Sequence, residues 1–290
     1  MRARGSGFKL LLTLLCLLPI GVSHARTPAK RTRHKAVVVR ADDPYPRAAL
    51  SYATAVDEQL LWSRNLDTHR SPASLTKLLT ALVVLGSDRW NPDASLPVSK
   101  AAATIRKTRV GLKAGDAVNA DDALTAMLVH SANDACMVLV EATAGTPEAF
   151  ARRMNQRAAD LGMADSHFVH PCGFDEPGQY STARDLLRLA QVAHSNPEIA
   201  RITSMESAVI VTQDDHQLSF HNTNRLLGRM DGVIGLKTGY TVQAGRCLIA
   251  VAEEAGHKVW LVLLNSRERW WIAQRMISDA MATARTRSTG

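Results

Sequence analysis

The sequence predicts an α+β fold, with an antiparallel sheet built from both chain ends, packed against helices and carrying an inserted helical lobe. Three observations predict it. Short strand-like runs stand near the start and again after residue 205, the middle is almost entirely helical in pattern, and a long helical run closes the chain. With 290 residues, 46% hydrophobic and 21% charged, the chain has ordinary globular composition, which excludes a disordered or fibrous protein.

In chain order, residues 48–64, "AALSYATAVDEQLLWSR", read as two short strands around a turn at Asp57-Glu58, followed by a helix containing Ser74. Gly, Pro and Asp break the pattern over 86–120, where "GLKAGDAVN" resembles a small strand pair. "DDALTAMLVHSANDACMVLVEATAG" then repeats apolar residues every three or four, as one helical region. "PEAFARRMNQRAADLGM" is an amphipathic helix ended by Gly162, and "STARDLLRLAQVAHS" another, with Ser181 or Thr182 as N-cap. After "AVIVT", the runs "GRCLIAVAE" and "HKVWLVLLN" flank "EEAGH", which suits a hairpin turn, and "ERWWIAQRMISDAMATA" is the closing helix. No internal repeat and no inter-domain linker is visible.

The N-terminus reads as an export signal: Arg2, Arg4 and Lys9, the apolar "LLLTLLCLLPIGV", then "SHA" ending at Ala25. Four segments follow: signal 1–25, a basic flexible leader 26–45, a catalytic domain 46–285 and a tail 286–290. Export places the chain in the periplasm or outside the cell. Losing the signal lowers the formal charge of +8 by three. Much of the remainder sits in "RTPAKRTRHK", a solvated arm whose functional alternative is weak attraction to an anionic surface. Few aromatics and no base-stacking motif argue against nucleic acid. Without Cys16, the cysteines are Cys136, Cys172 and Cys247; their odd number and unpaired spacing argue against a disulfide framework and favour small buried side chains, although an exported context permits one bond.

Chemistry is carried by an ordered set of motifs: "SLTK" at 74–77, "SAN" at 131–133 and "KTG" at 237–239. Each alone is weak. "SGFK" at 6–9 falls within the signal, and "SRN" at 63–65 ends a strand. On a helix, Ser74 and Lys77 share a face, and the helix N-terminus favours a developing alkoxide or oxyanion. Lys77 serves as a base when burial or a second cation lowers its proton affinity; the surrounding run is apolar and Lys237 supplies a cation. Ser131 relays a proton to the leaving group, Asn133 orients substrate, and Thr238 and Gly239 complete a strand edge for a peptide.

These motifs, with "GQYSTARDLLRLA", "FHNTNRLL" and "GLKTGYTVQAGRCLIAVA", resemble the penicillin-binding D-alanyl-D-alanine peptidases over roughly residues 48–280. The resemblance implies a β-lactamase/transpeptidase-like fold and an acyl-enzyme mechanism on peptidoglycan stem peptides. In it Ser74 attacks, Lys77 is the base, and the N–H groups of Ser74 and Tyr240 form the oxyanion hole, while Lys237 and Thr238 hold the substrate carboxylate or peptide end. It also implies β-lactams as covalent inhibitors, and no metal or cofactor. Class A β-lactamases carry an E-x-x-L-N motif that activates the deacylating water, and no glutamate here has that pattern. The predicted protein is thus a slowly deacylating target. "FHNTNRLL", "AGRCLI" and the short C-terminal region look like the D,D-endopeptidase branch, and "SANDAC" like the carboxypeptidase branch. The alternatives are a β-lactamase-like hydrolase and a non-catalytic wall-binding protein of the same fold.

Other residues carry less. His167, His170, His216 and His221 lack an H-E-x-x-H pattern and read as ordinary polar or loop histidines. Arg267 and Arg269 either reach a terminal carboxylate or are surface charges at a helix start, and are left out of the predicted site. Trp270 and Trp271 are expected to pack on the sheet.

Overall fold

The computed structural model describes residues 43–288. The expected signal, and most of the basic leader, lie outside the described residues. Among those described, no helix is long and apolar enough to cross a membrane.

Five strands form the main antiparallel sheet: β1 (Ser51–Val56), β2 (Gln59–Arg64), β7 (Val233–Thr241), β8 (Gly245–Glu254) and β9 (His257–Leu264), in the order β2-β1-β9-β8-β7. Both ends of the chain therefore build one sheet, as the sequence predicts. Side chains alternate across it with period two. Ala53, Ala55, Ile249, Val251, Val262 and Leu264 enter one core, while Tyr52, Val56, Leu248, Ala250, Leu261 and Leu263 enter another. Helix α8 (Arg269–Ser288) covers the second face with Ala273, Met276, Ile277, Ala280, Met281 and Ala284, an i, i+3, i+4 stripe. The "EEAGH" turn is a two-residue hairpin between the paired Glu254 and His257. Ala255 and Gly256 both take positive φ, 51° and 82°, as the strand twist demands of such a turn.

The other face meets the helical lobe: α1 (Lys77–Leu85), α2 (Lys100–Thr104), α3 (Ala120–Val129), α4 (Asn133–Ala144), α5 (Pro147–Asp160), α6 (Ala183–Ser195) and α7 (Pro197–Thr203). Of the two proposed caps of α6, Thr182 is the one whose side chain accepts, from Asp185 N. A separate hairpin joins β5 (Ser207–Val211) to β6 (Gln217–His221).

Four expectations change. "GLKAGDAVN" is not a strand pair: its end forms β4 (Ala117–Asn119), which pairs with β3 (Ser95–Pro97), while Gly111 and Gly115 turn the chain at φ +98° and +90°. The region 121–145 is two helices, because Ser131 at φ +63° leaves the helical path and Asn133 N donates to Thr108 O (2.8 Å). Ser74 lies in a 3₁₀ turn, Ala73–Thr76, and the α-helix starts only at Lys77. Finally, Cys136 and Cys172 are disulfide-bonded. The fold brings α4 and the loop after α5 together with a Cα separation of 6.1 Å, inside the reach of the bond, and the odd count leaves Cys247 as a buried free thiol.

Candidate active site

Three segments meet at Ser74. Its 3₁₀ turn is held from one side by the loop after α5, where Gly173 takes φ +82° and a Cβ would fall 2.0 Å from Ala73 O. From the other side comes edge strand β7, where a Cβ on Gly239 would lie 3.1 Å from Ser74 N and 3.0 Å from the Ala73 Cβ. Only glycine allows the loop so close, and any side chain on Gly239 would crowd the Ser74 amide. Asp175 fastens the same junction, accepting from Ser71 Oγ (3.1 Å), Thr241 Oγ1 (2.6 Å) and Gln243 N (3.3 Å). Ser74 remains partly exposed, so a ligand can reach it.

Lys77 is fully buried, one turn below Ser74. Its Nζ lies 2.8 Å from Asn133 Oδ1, 2.7 Å from Cys172 O and 3.2 Å from Ser74 Oγ. The first two partners only accept, so they take two N–H groups. The third direction faces the serine hydroxyl. Burial holds the Lys77 amine well below the ordinary lysine range, helped by the positive charges of Lys237 and Lys107 and opposed by Asp134.

Asn133 opens α4, and both ends of its amide are used inside the protein: Oδ1 accepts from Lys77 and Nδ2 donates to Arg106 O (3.0 Å). Its geometry is that of a support for Lys77. Next to it, the buried Asp134 carboxylate accepts from Val110 N, Gly111 N, Leu112 N and Ala135 N, which fixes the 105–112 loop over the helix start. Ser131 is buried at the break between α3 and α4.

The third motif lies within β7. Lys237 is buried, its Nζ donates to Thr238 O (3.2 Å), and burial, with Arg269 nearby, pushes its amine down to about 7. Thr238 Oγ1 donates to Thr223 Oγ1 (2.6 Å) and Thr223 N to Val129 O (3.1 Å), so "FHNTNRLL" ties the strand to the helix preceding Ser131. Tyr240 is exposed, at 62%.

A model of the peptidase S11 family, described as D-alanyl-D-alanine carboxypeptidase, matches residues 47–268. This chain belongs to that family. It is 35% identical over 219 residues to the Escherichia coli D-alanyl-D-alanine carboxypeptidase DacD, covering 72% of this chain and 55% of that protein. With the Escherichia coli D-alanyl-D-alanine endopeptidase it shares 32% identity over 264 residues, 82% of each chain. The crystal structure of the Streptomyces K15 DD-transpeptidase superposes with a TM-score of 0.77 at 28% identity, covering 83% of this chain and all of that one. The chain spans about half the length of the first curated relatives it matches, 54% of the Bacillus subtilis carboxypeptidase DacF among them.

In this S11 chain, Arg269, which is not among the residues predicted for the site, reaches the strand that carries it. It opens α8, and its Nη1 donates to Gly239 O and Cys247 O, both at 2.9 Å, so it braces the strand that carries "KTG". Burial lowers its guanidinium to about 10. It also lines a cavity of about 750 Å³, with Arg225, Arg246, Arg267, Glu268, Trp270 and Trp271. Of the two tryptophans, Trp270 packs against the sheet core while Trp271 is 57% exposed, against expectation.

The Cys172 carbonyl, which holds Lys77, has no signature in the sequence, because a backbone acceptor leaves no mark in residue type. His170 lies beside it: its Nδ1 accepts from Cys172 N (3.1 Å), and burial, with the Lys77 charge, takes the imidazole down to about 4. His216 stands apart, near Asp116 and Asp214, with Lys113 Nζ 3.0 Å from its Nε2.

Proposed function

We propose that the chain is an exported serine D,D-peptidase that cleaves D-alanyl peptide bonds of peptidoglycan stem peptides through an acyl-enzyme on Ser74, in the periplasm or outside the cell. The observation that carries this reading is the Lys77 amine: buried, depressed in proton affinity, and committed to two acceptors so that its remaining direction meets Ser74 Oγ. As a neutral amine its lone pair takes the hydroxyl proton while Oγ attacks the carbonyl of the penultimate D-alanine. The Ser74 and Tyr240 N–H groups receive the oxyanion, a role supported by the lack of a side chain at Gly239, whose Cβ would lie 3.1 Å from Ser74 N and crowd that amide. Lys237 and Thr238, on the edge strand, hold the substrate carboxylate or peptide end, and Ser131 passes a proton to the leaving amine. Water then cleaves the ester. Residues 46–285 form the catalytic domain of this reading, behind the signal and leader.

Penicillin acylates the same serine and leaves slowly, since the E-x-x-L-N glutamate of class A β-lactamases is missing from the sequence. Labelled penicillin is expected to attach stoichiometrically to the purified protein and to persist, and Ser74→Ala is expected to abolish the label. Equal labelling of Ser74→Ala would remove Ser74 as nucleophile, and rapid turnover of the drug would favour the β-lactamase reading.

Relatives named as carboxypeptidases and as an endopeptidase match the chain. Digestion of isolated wall separates the two: an endopeptidase removes cross-linked dimers, a carboxypeptidase only terminal D-alanines. Wall left unchanged by active enzyme that penicillin labels would overturn the peptidase assignment.

A further inference from the structure

The two groups that hold the Lys77 amine belong to different segments. Asn133 Oδ1 comes from the start of α4, itself anchored to the 105–112 loop through Arg106 O and Thr108 O. Cys172 O comes from the loop after α5, anchored to α1 where Thr80 Oγ1 donates to Pro171 O (2.7 Å). One covalent link joins these segments. Cys136 lies one turn beyond Asn133 on α4, and its partner is Cys172 itself, so the disulfide connects the residue supplying one acceptor to the helical turn supplying the other. Both cysteines are fully buried.

We propose that the Cys136–Cys172 disulfide is a positioning element of the reaction, fixing the two acceptors so that the Lys77 amine stays directed at Ser74 Oγ. The inference rests on the reading of Ser74 and Lys77 given above. A neutral amine has two N–H groups and one lone pair, and two fixed acceptors leave the lone pair a single direction. If α4 and the 170–173 loop separate, the amine can turn within its cradle. Water can also enter beside it, and hydration favours the protonated, unreactive form. Cysteine variants therefore acylate more slowly and need a higher pH to do so. The groups facing Lys77 are Lys237 on β7, Lys107 in the 105–112 loop, Asp134 on α4 and His170 in the 170–173 loop. None of the four is substituted in such variants, and a retreat of the Asp134 charge with α4 lowers the Lys77 pKa, so an upward shift reports hydration of the amine.

The test uses the full chain as Cys136→Ala, Cys172→Ala and the double variant, with labelled penicillin as probe and circular dichroism as the check on folding. The pair Cys136→Val with Cys172→Ala refills the buried volume without the bond, should the alanine pair fail to fold. Labelling is expected to remain stoichiometric, to slow by about tenfold, and to move its acid limb up by about one pH unit. Single and double variants are expected to match, since each breaks the same link. Folded variants that lose thermal stability but keep the wild-type rate and pH profile make the bond a structural tie only and overturn the proposal. So does a double variant whose loss is the sum of the singles. Wild-type protein that takes no label at all would instead sink the reading of Ser74, and this inference with it.

Discussion

Lys77→Met is expected to lower the rate of acylation by penicillin about a thousandfold and to erase the acid limb of its pH profile. Methionine nearly matches the length of lysine and keeps the buried volume filled, but it offers no lone pair to the Ser74 hydroxyl. In the wild-type protein the base must be neutral, so acylation rises as pH climbs through the Lys77 pKa. Burial, Lys237 and Lys107 set that value well below the ordinary lysine range, so the rise comes at lower pH than for an exposed lysine. Lys237 must be charged to hold a carboxylate, so the rate falls again as pH passes its own value, about 7 in the free protein. The second-order rate constant reports these free-protein values and is bell-shaped. In Lys77→Met only the alkaline limb remains, because burial and Arg269, rather than Lys77, depress Lys237. Stopped-flow acylation of both proteins across pH is the measurement, and an unchanged acid limb in the variant would remove Lys77 as the base.

Much of this arrangement was legible in residue order. The sheet could be read because β8 and β9 are continuous apolar runs of strand length, and the Ala255-Gly256 turn marks their hairpin. Ser74, Lys77, Ser131 and Lys237 could be picked out as candidates because S-x-x-K, S-x-N and K-T-G follow one another in that order. Proximity without periodicity could not be read. The break at Ser131 is hidden because both α3 and α4 bury their apolar faces in one core, so the spacing of threes and fours continues across it. The 3₁₀ turn at Ser74 is set by Gly173 and Gly239 pressing on its backbone, contacts 99 and 165 residues away in sequence. The disulfide joins positions 36 residues apart, and an odd cysteine count gave no reason to pair them. The type of Asn133 suits an amide that orients substrate, but residue order does not reveal its contacts to Lys77 and Arg106 O. The fold turns both ends of its amide inward.

Asp134→Ala is expected to cost about 4 kcal/mol of stability, lowering the melting temperature by about 10 °C. The carboxylate is fully buried, and its partners are four backbone N–H groups at 2.9 to 3.2 Å. Alanine leaves all four without an acceptor in a place water does not reach, which is among the costlier defects a single substitution makes. Asparagine recovers only part. Val110 N and Ala135 N share Oδ1 while Gly111 N and Leu112 N share Oδ2, so an amide nitrogen at either position sets donor against donor. The 105–112 loop also carries the carbonyls that hold Asn133, so the defect reaches the Lys77 cradle. Its electrostatic effect nevertheless runs opposite to that of opening the disulfide. Asp134 raises the Lys77 pKa, so Asp134→Asn removes a charge that favours the ammonium form, and the acid limb of acylation moves to lower pH. A thermal melt and a pH profile of the two Asp134 variants test both halves; an acid limb that moves upward would mean that hydration of the loosened cradle outweighs the lost charge.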